Sequence, residues 1–173
     1  MPHTHRGKAM DQTMDLRSAN SVKRCHTFHT LVEETVGHHS ANVAGLLILV
    51  YRAEDQIPSS ELLCAALFHD YAEQFTGDVP APAKWASRDL KLSLQNLEDT
   101  LGTPSWDLTV QEELELKWAD SFDFWCKCLE ELALGNSLIT ERLENAKKSC
   151  EKTKPGFLRR SITNVMKASG FYE

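Results

Sequence analysis

The sequence predicts an all-α fold, a single helical bundle, on three observations. Apolar residues recur at helical spacing, most clearly at Val43, Leu46, Leu47, Val50 and Tyr51. No segment sustains the period-two alternation of a half-buried strand. Breaks rich in glycine and proline punctuate the chain at Pro58, Gly77–Pro82, Gly102–Pro104, Gly135 and Pro155–Gly156.

The elements follow in order. Residues 1 to about 10 are expected to form a flexible tail, and 11–173 a single domain. A first helix is expected from about Asp11 to Asn20, followed by a loop through His26 and His29 to Thr35. The Val43–Tyr51 helix is expected to begin near His39 and fade between Ala53 and Gln56. Ser59 or Ser60 then caps a helix with Glu61 in its first turn, an acid where the helix dipole favours one. That helix carries Leu62, Leu63, Ala66, Leu67 and Phe68 and is expected to run on through His69, Asp70 and Glu73. Thr76–Pro82 cannot continue it, because proline and glycine interrupt the backbone ladder. A polar helix from about Ala83 to Leu101 follows, then a long one from about Thr109 to Leu134 stopped by Gly135-Asn136. Ser137–Lys152 and a short helix after Pro155-Gly156 complete the chain.

Composition narrows the function. With 173 residues, 42% hydrophobic and 25% charged, the chain suits one soluble globular domain. A formal net charge of -6 argues against a nucleic-acid polymer as partner, which calls for a basic surface. The longest apolar stretch, Val43–Tyr51, is far short of the about 20 residues that cross a bilayer, so no membrane partner is expected. The start of the chain shows no secretory signal. The five cysteines form no CxxC pair, and reduced thiols in a cytoplasmic protein (host cytoplasm for a phage protein) are the economical reading. Cys126 and Cys128, two apart on a helix, face different ways. Trp118 and Trp125 are expected in the core, Trp85 and Trp106 exposed without a special role, and Glu130-Glu131 on a solvated face.

The informative residues are acids and imidazoles attached to apolar helices. His69 and Asp70 follow directly on Leu62–Phe68, and Glu73 lies four and three residues further on. Asp120 interrupts an aromatic, apolar segment, and His39 stands at the start of the Val43 helix. A buried carboxylate needs a partner charge, hydrogen bonds or a metal. Two imidazoles and two carboxylates suit one Zn²⁺, Co²⁺ or Mn²⁺ with open positions. Spacing alone equally fits hydrogen-bonded core residues.

The blocks Thr35-Val36-Gly37-His38-His39-Ser40, Phe68-His69-Asp70-Tyr71-Ala72-Glu73, Thr76-Gly77-Asp78-Val79-Pro80 and Lys117-Trp118-Ala119-Asp120 stand in order along the chain. Together they resemble the HD-domain phosphohydrolases, in particular the 5'-deoxynucleotidase (YfbR-like) branch and its short phage relatives. The resemblance implies an HD-type helical bundle with a metal site at its centre. It implies His39, His69, Asp70 and Asp120 as ligands, Glu73 as general acid/base, and Asp78 as a second acid near the reacting water or the sugar. Arg24 matches a phosphate-contacting arginine, and Lys84 is a further phosphate candidate. His38 stands where the family has no ligand. Where the bacterial branch carries a tryptophan beside the sugar this chain has Cys25, followed by His26, so the substrate-facing turn departs from the pattern.

The expected activity is metal-dependent hydrolysis of 2'-deoxynucleoside 5'-monophosphates. Cleavage of a dNTP such as dATP to deoxynucleoside and tripolyphosphate is the alternative at the same phosphorus. A cyclic-dinucleotide phosphodiesterase would need a second metal, with His26, His29 and His38 left to hold it. A non-catalytic nucleotide-binding module is the alternative of another class. The family also implies a homo-oligomer, dimer or higher.

Overall fold

The computed structural model describes residues 15–101, 104–155 and 159–171, and the expected tail lies outside them. Residues 15–20 are helical (α1). They are followed by α2 (Val36–Arg52), α3 (Ser60–Phe68), α4 (Glu73–Thr76), α5 (Ala81–Ala86), α6 (Arg88–Leu101), α7 (Val110–Ala133), a 3-10 turn at Ser137–Ile139, α8 (Thr140–Thr153) and α9 (Arg159–Ala168). No strand occurs among the described residues, and the one bridge, antiparallel between Lys23 and Thr35, ties the ends of a long loop. No helix among the described residues is long and apolar enough to cross a membrane.

Three boundaries differ from the sequence reading, each for a local reason. Helix α2 starts at Val36, ahead of His39, because extended Thr35 caps it and accepts the His38 N–H. Gly37 allows this: a Cβ there would lie 2.9 Å from the Asn20 Cβ, so glycine lets the first turn of α2 press on the end of α1. Helix α3 stops at Phe68, and Glu73 opens a separate short helix. The His69 ring N–H donates to the Ala66 carbonyl, competing for the acceptor a continuing helix would use. Finally, the polar helix is two helices, because Ser87 is extended and its hydroxyl accepts the Leu90 N–H, capping a new start.

The core is shared by α2, α3, α7, α8 and α9. Val43, Leu47, Val50, Leu62, Trp118, Ile162 and Met166 are wholly buried in it. At roughly 1.5–3 kcal/mol for each fully buried large apolar side chain, this cluster supplies most of the drive to fold. Trp118, Phe122 and Trp125 stack along α7 with ring centroids 5.1 and 5.4 Å apart, and Phe171 closes on Trp125 at 4.8 Å. Helix α7 is framed by a capping box between Thr109 and Glu112 and by Gly135 at φ 99°, a left-handed stop.

Candidate metal centre

Helix α2 delivers His39 from its first turns into the core, with no exposed surface. The end of α3 delivers His69 and Asp70, and α7 delivers Asp120. His39 Nε2 lies 3.2 Å from His69 Nε2, 3.0 Å from Asp120 Oδ1 and 3.9 Å from Asp70 Oδ2. His69 Nε2 lies 3.4 Å from Asp70 Oδ2. Ligands at about 2.1 Å around one tetrahedral ion are about 3.4 Å apart, so this spread is that of donors sharing an ion. His39, His69 and Asp70 form the tight group, all within 4.8 Å of one another, and Asp120 joins it through His39.

The protonation pattern makes the case chemical as well as geometric. His39 Nδ1 is 2.7 Å from Asp123 Oδ2, and an ionised carboxylate only accepts, so Nδ1 carries the proton. His69 Nδ1 is 2.9 Å from the Ala66 carbonyl, which again only accepts. Each neutral ring therefore turns its Nε2 lone pair towards the other, with two carboxylates beside them. Such a set of acceptors calls for a cation. In the metal-free protein a proton serves: burial opposes ionisation of His39, but hydrogen bonds to Asp120 and Asp123 outweigh it and push its pKa up to about 9. The same arrangement holds Asp120 down to about 2, against desolvation, through the His39 hydrogen bond and the neighbouring His69 and Arg24. Two imidazoles and two carboxylates, with both Nε2 atoms unprotonated, fit a divalent transition metal.

The remaining predicted residues fall into two groups. Glu73, Lys84 and Asp70 line a cleft beside the cluster with Thr76, Val79 and Leu97. Lys84 Nζ is 3.9 Å from Glu73 Oε1, and Glu73 Oε2 is buried without a hydrogen-bond partner. Burial first, then Asp70 and Asp78, push the Glu73 carboxyl up to about 8 against the pull of Arg24 and Lys84. Arg24 bonds Asp70 directly through Nη1, and its Nε is 3.6 Å from Glu34 Oε2. Asp78 accepts the backbone N–H of Cys25 at 2.9 Å, which braces Cys25 in a left-handed turn at φ 59°. His26 and His38 are exposed. Cys25, Cys126 and Cys128 stay thiols, since burial pushes each of them up to about 12.

Two readings of the sequence are corrected. Glu131 faces no solvent: it is wholly buried and accepts N–H groups from Leu31 (2.7 Å), Val32 (3.0 Å), the Asn136 amide (2.9 Å) and Lys127 Nζ (2.9 Å). The loop 29–36 covers that face of α7, which turns a surface acid into a buried anchor. Trp106 is half-buried, its ring 5.4 Å from that of Phe68. Asp123 and Glu34 were missed altogether. The signal for Asp123 was present, since Asp120, Asp123, Lys127 and Glu131 recur at three- and four-residue intervals and form one polar stripe through the aromatic middle of the helix.

Comparison with known proteins identifies the family and the fold. Residues 13–106 match the profile of the family described as 5'-deoxynucleotidase YfbR-like. A 5'-deoxynucleotidase of Photorhabdus laumondii is 31% identical over 149 residues, covering 71% of this chain and 76% of its own. Among solved structures, an HD-domain phosphohydrolase of Listeria innocua superposes with a TM-score of 0.71 at 20% identity, over 93% of this chain and 89% of that one. The HD phosphohydrolase DatZ of cyanophage S-2L, bound to dA and one catalytic Zn²⁺, superposes with a TM-score of 0.61 at 17% identity, over 91% of this chain and 95% of that one. The profile covers more than half of the chain, and the protein belongs to the 5'-deoxynucleotidase YfbR-like family.

Proposed function

We propose that the protein hydrolyses 2'-deoxynucleoside 5'-monophosphates to deoxynucleoside and phosphate with one divalent metal ion. The observation that carries the reading is the pair of His39 and His69 lone pairs facing each other beside Asp70 and Asp120, with the partnerless oxygen of Glu73 in the adjoining cleft. His39, His69, Asp70 and Asp120 would hold the ion. When bound, it would lower the pKa of a coordinated water towards about 7 and offset the charge of the attacked phosphoryl group.

The chain's own residues supply the rest. Glu73, held protonated near neutral pH by burial and by Asp70 and Asp78, can give a proton to the leaving 5'-oxygen, and its carboxylate can take one from the attacking water. Lys84 beside it is a point charge for a non-bridging phosphate oxygen. Arg24, now spanning Asp70 and Glu34, can turn one face of its fork to the phosphate while Glu34 keeps hold of Nε. Asp78 braces the Cys25 turn that carries Arg24, and through it the wall that would face the sugar. Cys25 and His26 would belong to that wall, where the departure from the family's tryptophan would bear on sugar and base choice.

The second reading, cleavage of a dNTP with release of tripolyphosphate, gains support from the likeness to DatZ. Both reactions attack the same phosphorus. Metal-loaded protein is assayed against dNMPs, dNTPs and ribonucleotides with Mn²⁺, Co²⁺ and Zn²⁺, and products are separated. Phosphate from dNMPs is the expected result; tripolyphosphate from dNTPs alone would support the second reading. Deoxynucleotide binding without turnover under any metal would sink both.

A further inference from the structure

We infer that Asp123 is the positioning residue of the metal centre, acting on the cation through His39. The inference rests on the reading of His39 as a ligand, and it adds that the two histidines are unequal.

Asp123 is one turn beyond Asp120 on α7 and only 5% exposed. Burying a carboxylate is costly unless it is well paired, and the close partner it is given is the His39 ring N–H at 2.7 Å. That bond fixes three things at once. It places the ring proton on Nδ1, it sets the ring's rotation, and it lends negative charge to the imidazole, which makes Nε2 a better donor to a cation. A second acid stands behind it, since ligand atoms of Glu34, His39 and Asp123 all lie within 4.8 Å of one another. Glu34 is itself held at 3.6 Å by Arg24 Nε. This inner triad cannot be a second metal site while His39 Nδ1 carries its proton; it is a bracket behind the ring.

His69 has no such bracket. Its Nδ1–H goes to a backbone carbonyl, a neutral acceptor set by the turn after α3, and the ring is partly exposed. The same element, imidazole, is thus backed by a buried carboxylate in one case and by a peptide dipole in the other. His39 is the anchor of the site and His69 the more adjustable ligand, and Asp123 makes the difference.

The test measures metal affinity apart from turnover, by competition of Zn²⁺ and Mn²⁺ with a chromogenic chelator, for the wild-type protein, Asp123→Ala and Asp123→Asn. Loss of an outer partner of this kind typically weakens metal binding by about 10–100-fold, and that loss is expected for Asp123→Ala. Asp123→Asn, whose amide oxygen can still accept the Nδ1 proton, should recover part of it. The deficit should appear in the metal constant and much less in KM measured at saturating metal. Long-range ¹H–¹⁵N NMR of the wild-type protein, which needs no variant to fold, should show the His39 proton on Nδ1. A folded Asp123→Ala protein that binds both metals as tightly as wild type, or a wild-type His39 protonated on Nε2 alone in its metal-bound form, would overturn the inference. Either result leaves the deoxynucleotidase reading to be judged on its own assay.

Discussion

The polar stripe of α7 meets the candidate metal group at His39, the wall formed by α4, α5 and α6 lines the cleft beside His69 and Asp70, and the two are built in opposite ways. Along α7 the groups at 123, 127 and 131 are buried, and each meets a partner on the segment between 31 and 39. Asp120 adds its contact with His39 at the mouth. Helices α5 and α6 bury no side chain at all, although they bring Lys84, Leu94, Leu97 and Glu98 to the cleft. A fully satisfied low-dielectric network has one good arrangement, whereas a wall resting on half-exposed leucines has several of similar free energy. The difference teaches that the candidate metal group sits on a preorganised network, and that the wall beside it, proposed to meet the substrate, does not.

The contrast can be broken first at its chemical edge. Glu73→Ala should leave metal binding intact and reduce turnover by about 10²–10⁴-fold, measured on metal-loaded protein with dNMP. Undiminished hydrolysis would remove Glu73 from the mechanism. Glu131→Ala attacks the stripe: it removes the carboxylate that accepts from Lys127, the Asn136 amide and two backbone N–H groups, leaving Lys127 only the Val32 carbonyl and Glu130, and should lower stability by about 3–5 kcal/mol in urea unfolding. A loss below about 1 kcal/mol would mean that loop 29–36 is not held by this residue.

The pH dependence of the metal-free protein sharpens the same point. Glu73 rises from an ordinary 4.5 to about 8 on folding, so the folded state holds a proton that the unfolded state has lost. The stability this contributes is fully present below 4.5 and is gone once the pH has risen through about 8. His39, raised from 6.5 to about 9, acts in the same direction over a higher window. Urea midpoints of the metal-free protein should fall from pH 5 to pH 9, and Glu73→Gln should flatten the lower part of that fall. Added metal should reverse the trend at His39, since ligation competes with the proton.

On the wall the effects should be smaller. Lys84→Ala should raise KM for a monophosphate by about tenfold, the worth of one charged hydrogen bond, with little change in metal affinity. Leu92, 47% exposed on α6, should tolerate alanine with a stability change within about 0.5 kcal/mol. A large loss there would show α6 to be packed more firmly than its exposure implies.

Much of this architecture is written locally. The caps at Ser59 and Thr109, the stop at Gly135 and the apolar spacing of α2 act over a few residues, and the sequence alone places those helices to within a turn. The site blocks around His39, His69 and Asp120 are legible for a related reason: polar groups emerging from apolar helices need an explanation wherever they occur. The stripe that holds Asp123 and Glu131 is legible in their spacing, but the burial of the two acids is not, because an acid is a surface group or a buried anchor according to what covers it. The cover comes from the segment 31–39, about a hundred residues away in the chain for Glu131 and 84 for Asp123. The separation of Glu73 from the His69 helix likewise turned on a ring proton finding the Ala66 carbonyl. Short-range rules set the helices and nominated the ligands; only the folded chain decided which carboxylates stand in contact with which imidazoles, because burial and charge pairing are properties of neighbours in space.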